Sequence, residues 1–138
     1  MSRLQLALNV EDLDSAVTFY SRLLGVEPAK RKPGYANFAV AEPPLKLVLF
    51  ESPGEGGTIN HLGIEVEDVA AVEAASARLS EHGLAATPPA EDTCCYARQE
   101  KFWVQHAPDD LRWEVYTVVE SSETFSGDQP AESSTCCA

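Results

Sequence analysis

The sequence predicts an α+β fold made of two βαβββ modules that form a curved mixed sheet around a cleft. Three observations lead there. The stretch Gln5-Leu6-Ala7-Leu8-Asn9-Val10-Glu11-Asp12-Leu13 aligns without a gap to His61-Leu62-Gly63-Ile64-Glu65-Val66-Glu67-Asp68-Val69, 56 positions later. Each copy runs into a segment with helical periodicity. Each helix is followed by strand-like pieces separated by turn formers.

The first strand alternates, with Leu6, Leu8 and Val10 on one face and Gln5, Ala7 and Asn9 on the other. In the second copy Leu62, Ile64 and Val66 match the apolar face, and His61, Gly63 and Glu65 the polar one. Asp12 and Asp68 occupy helix N-cap positions, where a carboxylate accepts from orphan backbone N–H groups. Leu13, Ala16, Val17, Tyr20, Leu23 and Leu24 make an i, i+3, i+4 stripe in the first helix. Gly25 and Gly83 stand where left-handed C-caps belong. Strands are expected at about 35–41 and 45–51, split by Pro43-Pro44. In the second half they are expected at about 93–98, 101–106 and 111–119, the last two split by Ala107-Pro108-Asp109-Asp110. The chain thus reads as one domain over 1–119, with module 1 at about 1–53, a glycine-rich hinge at 54–57 and module 2 at about 58–119. Residues 120–138 are polar and poor in large apolar side chains, so a disordered tail is expected there.

Composition removes several function classes. With 22 acidic against 10 basic residues the formal charge is −12, and no basic cluster appears. Binding to nucleic acid or to an anionic membrane surface is not expected. No apolar run reaches the roughly 18 residues of a membrane span, and the N-terminus lacks a signal-peptide profile. A cytoplasmic protein is expected.

The repeat places Gln5 and His61, both capable of binding a metal, in equivalent positions on the polar strand faces. Small Ala7 and Gly63 beside them leave room for a ligand. A third donor is Glu114, a carboxylate set among apolar and aromatic residues in Leu111-Arg112-Trp113-Glu114-Val115-Tyr116. Burying an unpaired carboxylate is costly, and a nearby cation removes the cost. Taken singly each residue has a plainer reading: Gln5 as a polar neighbour, His61 as a core histidine, Glu114 as the partner of an arginine such as Arg112. His82 and His106 read as surface residues. Aligning Leu45-Lys46-Leu47-Val48-Leu49-Phe50 with the Glu114 strand sets Val48 at the fourth equivalent position, which offers no donor.

These modules, with Asn60-His61-Leu62-Gly63 and Arg112-Trp113-Glu114-Val115-Tyr116, resemble the vicinal oxygen chelate superfamily over about residues 3–119. That superfamily includes glyoxalase I, extradiol dioxygenases and fosfomycin- or bleomycin-resistance proteins. The resemblance implies Gln5, His61 and Glu114 as ligands in a metal-binding cleft. Three protein ligands leave coordination positions open, the logic of facial-triad non-haem iron enzymes. Gln5 stands where the dioxygenase branch more usually has histidine.

The four cysteines form two adjacent pairs, Cys94-Cys95 and Cys136-Cys137. Neighbouring Cα atoms lie about 3.8 Å apart, short of the roughly 4.4 Å of an ordinary disulfide. In a reducing compartment four thiols are expected. Two close thiolates suit a soft, thiophilic centre such as trivalent arsenic, provided that the backbone there is irregular enough for both to face one way. The plainer reading is two small buried residues.

Arg31-Lys32-Pro33-Gly34-Tyr35-Ala36-Asn37-Phe38, Pro43-Pro44-Leu45-Lys46-Leu47-Val48-Leu49 and Thr93-Cys94-Cys95-Tyr96-Ala97 are similar to the organoarsenical C–As lyase (ArsI) branch, also described as cadmium-induced proteins. The resemblance implies an Fe(II)- and O2-dependent dioxygenase that cleaves the carbon–arsenic bond of trivalent organoarsenicals, such as methylarsenite, to arsenite. It implies Cys94 and Cys95 as substrate-binding residues and no catalytic residue beyond the metal ligands. Ni(II) or Co(II) could replace iron in crystals. Tyr96, Phe102, Trp103 and Tyr116 are candidate lining residues. Two other outcomes stay open: a non-catalytic As(III)- or Cd(II)-binding resistance protein, and a glyoxalase-like metalloenzyme. Modules of this kind often form homodimers.

Overall fold

Asp12 and Asp68 start the two helices as the sequence predicts. In the computed structural model, which describes residues 2–85 and 88–122, α1 spans Leu13–Leu24 and α2 spans Val69–Ser80. The Asp12 carboxylate accepts from the Ser15 N–H, and that of Asp68 from the Ala71 N–H at 2.8 Å. Gly25 is the left-handed C-cap of α1 (φ 72°), and its N–H reaches the Ser21 carbonyl. The second helix ends differently. Its cap is Glu81 in right-handed conformation, and the left-handed Gly83 (φ 74°) comes two residues later, after Glu81 has extended the helical turn by bonding back to Ala77 and Leu79.

The strands are β1 (Arg3–Val10), β2 (Lys30–Lys32), β3 (Tyr35–Val40) and β4 (Leu45–Glu51) in the first module, then β5 (Ile59–Glu65), β6 (Ala90–Cys94), β7 (Ala97–Trp103) and β8 (Trp113–Ser121). With α1 and α2 they give the expected βαβββ order twice. The fold divides into two compact units, Arg3–Leu62 and the chain from Gly63 onward, so the boundary falls inside β5 and not at the glycine loop.

In the unit Arg3–Leu62 the strand order is β2-β3-β4-β1. β1 and β4 are parallel, with Gln5 opposite Lys46 and Ala7 opposite Val48, and the other pairs are antiparallel. One face carries Ala36, Phe38, Val40, Leu47 and Leu49, packed with Leu13 and Val17 of α1 and flanked by Leu6, Leu8 and Val10. Leu23, placed in the buried stripe by its spacing, is 63% exposed. In the unit from Gly63 onward β8-β7-β6 form an antiparallel set, and Phe102 and Val115 pack with Val72 and Ala85 at α2. Ile64, expected on the apolar face, is 39% exposed.

The C-terminal strands differ from expectation in register. The sequence reading put a break near 99–100, yet β7 runs unbroken through it and the turn lies at Cys95-Tyr96. Both turn residues are left-handed (φ 53° and 62°), and Cys94 pairs with Ala97. A two-residue hairpin with positive φ at both positions matches the right-handed twist of the strands it joins. β8 continues to Ser121. Ser122 is also placed, its N–H donating to the Tyr96 carbonyl at 2.8 Å, so the tail expected from 120 does not begin there; residues 123–138, with Cys136 and Cys137, lie outside the described residues. None of the described helices is long and apolar enough to cross a membrane.

Candidate functional site

The strand faces opposite the helices hold an unusual amount of buried polarity. Gln5, Asn9, Asn37 and His61 are all under 9% exposed in the unit Arg3–Leu62. The small Ala7, fully buried between Gln5 and Asn9, keeps that face from filling with bulk.

Gln5 and His61 meet there. The Gln5 Nε2 lies 3.2 Å from the His61 Nε2, so the pairing predicted from the repeat is realised between side chains. On its other edge the imidazole Nδ1 lies 2.8 Å from the Asn60 Oδ1. The Phe50 ring lies beside it, 6.2 Å between centroids. Asn60 in turn donates from Nδ2 to the Asn9 Oδ1 at 3.1 Å, and Asn9 donates to the Thr58 hydroxyl at 2.9 Å. Asn9 and Thr58 carry no such role in the sequence reading, and Asn60 figured only as part of a motif. Their signal was an amide on the same strand face as Gln5, and an amide directly preceding the histidine.

Glu114 belongs to the other unit. It is 3% exposed, and its partner there is Lys101, whose Nζ lies 3.5 Å from Oε2 and whose side chain is equally buried. Arg112, the partner proposed by the plainer reading, instead stacks on Trp103 with its guanidinium carbon 4.5 Å from the ring centroid. Lys101 was the missed residue. It alternates with Gln99 on the buried polar face of β7, which was the available signal. The pair bears on the fit for a metal: the buried Glu114 carboxylate already stands beside a cation, and a metal ion taking that place requires the Lys101 ammonium to move to another partner. An amide, an imidazole and a carboxylate are donors suited to a divalent first-row ion. Among the described residues no group of three or more His, Cys, Asp or Glu side chains gathers into a metal cluster, a count that leaves glutamine aside.

The cysteine pair sits at the hairpin turn. Cys94 ends β6 and Cys95 occupies the first left-handed position, so the backbone is irregular there, as chelation by both would need. Cys95 is disulfide-bonded, in contrast to the thiol expected from the sequence. Of the candidate lining residues, Phe102 lies in the apolar core under α2. Tyr116 is fully buried and donates to Glu65 at 3.4 Å. His82 and His106 are exposed, as expected.

The sequence matches the model of the Glyoxalase/Bleomycin resistance protein/Dioxygenase superfamily over residues 3–115. The chain belongs to this superfamily. Its relatives in the superfamily include the cadmium-induced protein CadI of Mycobacterium bovis, 59% identical over 99% of this chain and 93% of that protein. A trivalent organoarsenical cleaving enzyme of Thermomonospora curvata is 53% identical over 99% of this chain and 89% of its own length. One of Bacillus sp. is 39% identical over 99% and 83%. Solved superfamily structures share the fold. The Mn(II)-bound glyoxalase of Novosphingobium aromaticivorans superposes with a TM-score of 0.59 at 21% identity, over 95% of this chain and 44% of that one.

Proposed function

We propose that the chain cleaves the carbon–arsenic bond of trivalent organoarsenicals, with Fe(II) as cofactor and O2 as co-substrate. The observation that carries this reading is the 53% identity, over almost the whole chain, to a trivalent organoarsenical cleaving enzyme. The side chains add support: a buried Gln5–His61 pair, a buried carboxylate at Glu114 and a cysteine pair on a left-handed hairpin.

In this reading Gln5, His61 and Glu114 hold the iron. The bound iron supplies the O2 activation that protein side chains cannot. The Cys94 and Cys95 thiols would hold As(III) by two As–S bonds, each displacing one hydroxyl of arsenic, and the two hydroxyls leave as water with the two thiol protons. The burial of His61, 3% exposed, keeps bulk water from the reacting group. Overall, methylarsenite and O2 give arsenite and formaldehyde. The C–As bond breaks, one oxygen atom ends on the methyl carbon and the other becomes the third hydroxyl of arsenite. Arsenic stays trivalent, and the electrons lost by carbon are those gained by oxygen.

The clamp needs thiols, so the disulfide at Cys95 must first be reduced by a cellular thiol, and the activity belongs to a reducing compartment, the cytoplasm. The deciding experiment reconstitutes reduced protein with Fe(II) without oxygen, adds methylarsenite, and follows arsenic speciation under air and under nitrogen. Arsenite under air alone is the expected result. The 59% identity to cadmium-induced proteins favours a second reading, sequestration of As(III) or Cd(II), which predicts no arsenite under either gas. Arsenite under both would sink the oxygen-dependent step.

A further inference from the structure

We propose that Thr58, Asn9 and Asn60 form a one-way hydrogen-bond relay that fixes the tautomer of His61, keeping the proton on Nδ1 and the lone pair on Nε2. The inference rests on the metal reading above only for its purpose. The relay itself is drawn from geometry within one unit.

Its direction is set at the far end by a group that can only accept. The Thr58 hydroxyl lies 2.7 Å from the Glu55 carbonyl oxygen, so it donates there and presents its lone pairs to Asn9. Asn9 must therefore turn its Nδ2 to Thr58, at 2.9 Å, and its Oδ1 to Asn60. The Ser52 hydroxyl, 3.4 Å away, adds a second donor to that same Oδ1. Asn60 then places Nδ2 on Asn9, at 3.1 Å, and Oδ1 on His61. An oxygen that only accepts, 2.8 Å from Nδ1, requires Nδ1 to carry the proton.

The other edge of the ring agrees. The Gln5 Nε2 is a donor, and it stands 3.2 Å from the His61 Nε2. Inverting either asparagine sets oxygen against oxygen or N–H against N–H, so these links hold one another in place. Amide orientations of this kind are assigned from the network, and this one has a fixed end. A metal-bound histidine gains orientation and basicity when its other nitrogen donates to such a partner. Asn60 is thus a positioning residue for His61, with Asn9 and Thr58 behind it.

The test uses the full chain, metal-free and labelled with nitrogen-15. Long-range proton–nitrogen correlation should find His61 with a pyrrole-type Nδ1 and a pyridine-type Nε2. Asn60→Leu should mix the tautomers, and Thr58→Val, a change at an exposed position, should weaken the preference. Asn60→Asp, which still accepts from Nδ1, should restore it. Calorimetry with Co(II) alone should give an affinity about 10–100-fold lower for Asn60→Leu and close to wild type for Asn60→Asp. Should Asn60→Leu fail to fold, the Thr58→Val spectrum decides. A proton on Nε2 in the wild type, or a tautomer indifferent to Asn60 or Thr58, overturns the relay. The expected tautomer in a chain that binds no Co(II) upholds the relay and overturns the metal reading instead.

Discussion

Lys101 and Glu114 are the residues whose burial most constrains the molecule. Each has a side chain about 95% removed from solvent, so neither charge is screened by water. Removing one member of such a pair strands the other, at about 3–5 kcal/mol. Lys101→Met should therefore lower unfolding stability by about that amount in urea titrations, and the Lys101→Met, Glu114→Leu double variant should recover most of it. A single variant as stable as wild type would mean that Glu114 finds another cation. Asp12 carries a pH prediction. The Ser15 hydroxyl, and then the Ser15 N–H, hold its carboxyl below the ordinary value. A lowered folded value stabilises above the unfolded one and loses that contribution as pH falls through the folded value. Asp12→Asn keeps a capping oxygen but no charge, so the stability gap to wild type should close as acid is added. A gap that stays constant down to pH values below the carboxylate range would assign it to packing. Of these residues, Asp12 was legible because capping is a local rule. Lys101 was not, because its partner comes from another strand.

Elements were legible where local chemistry decides them. Both helix starts followed from Asp12 and Asp68. β2, only three residues long, carries no periodicity to read, and the hairpin at Cys95-Tyr96 lacks the Asn-Gly or Asp-Gly that usually marks such a turn. The glycine loop shows what its sequence encodes. The Glu11 carboxylate accepts from the N–H groups of Gly54 and Gly56 at 2.7 and 3.0 Å. A Cβ on Gly56 would stand 2.6 Å from the Glu11 Oε2 and 2.9 Å from its backbone nitrogen, whereas one on Gly57 would meet nothing within 4 Å. Gly56→Ala should thus cost about 1–3 kcal/mol through displacement of the clasp. Gly57→Ala, at φ 90°, should cost about 1 kcal/mol from its backbone conformation alone. Thermal unfolding of the two variants compares them, and equal losses would exclude the steric account.

At the scale of the whole molecule, the charge of −12 bears on the substrate proposed above. It disfavours approach of anions, but a neutral dihydroxy arsenical feels no net steering. Turnover of methylarsenite at low concentration should change less than about twofold between low and 0.15 M salt, where the Debye length is about 8 Å. A steep salt dependence would indicate a charged substrate form. The repeat made both the doubled βαβββ order and the Gln5–His61 proximity legible, since it sets the two residues at equivalent strand positions. What it could not convey is that β5, the opening strand of the second copy, is shared between the compact units. The genetic duplication and the physical subdivision are therefore out of phase. Splitting the coding region at the glycine loop would yield two tidy repeats and tear the imidazole from its amide. A cut beyond Glu65 would look untidy on paper, yet it would keep Gln5, His61 and the relay on one polypeptide.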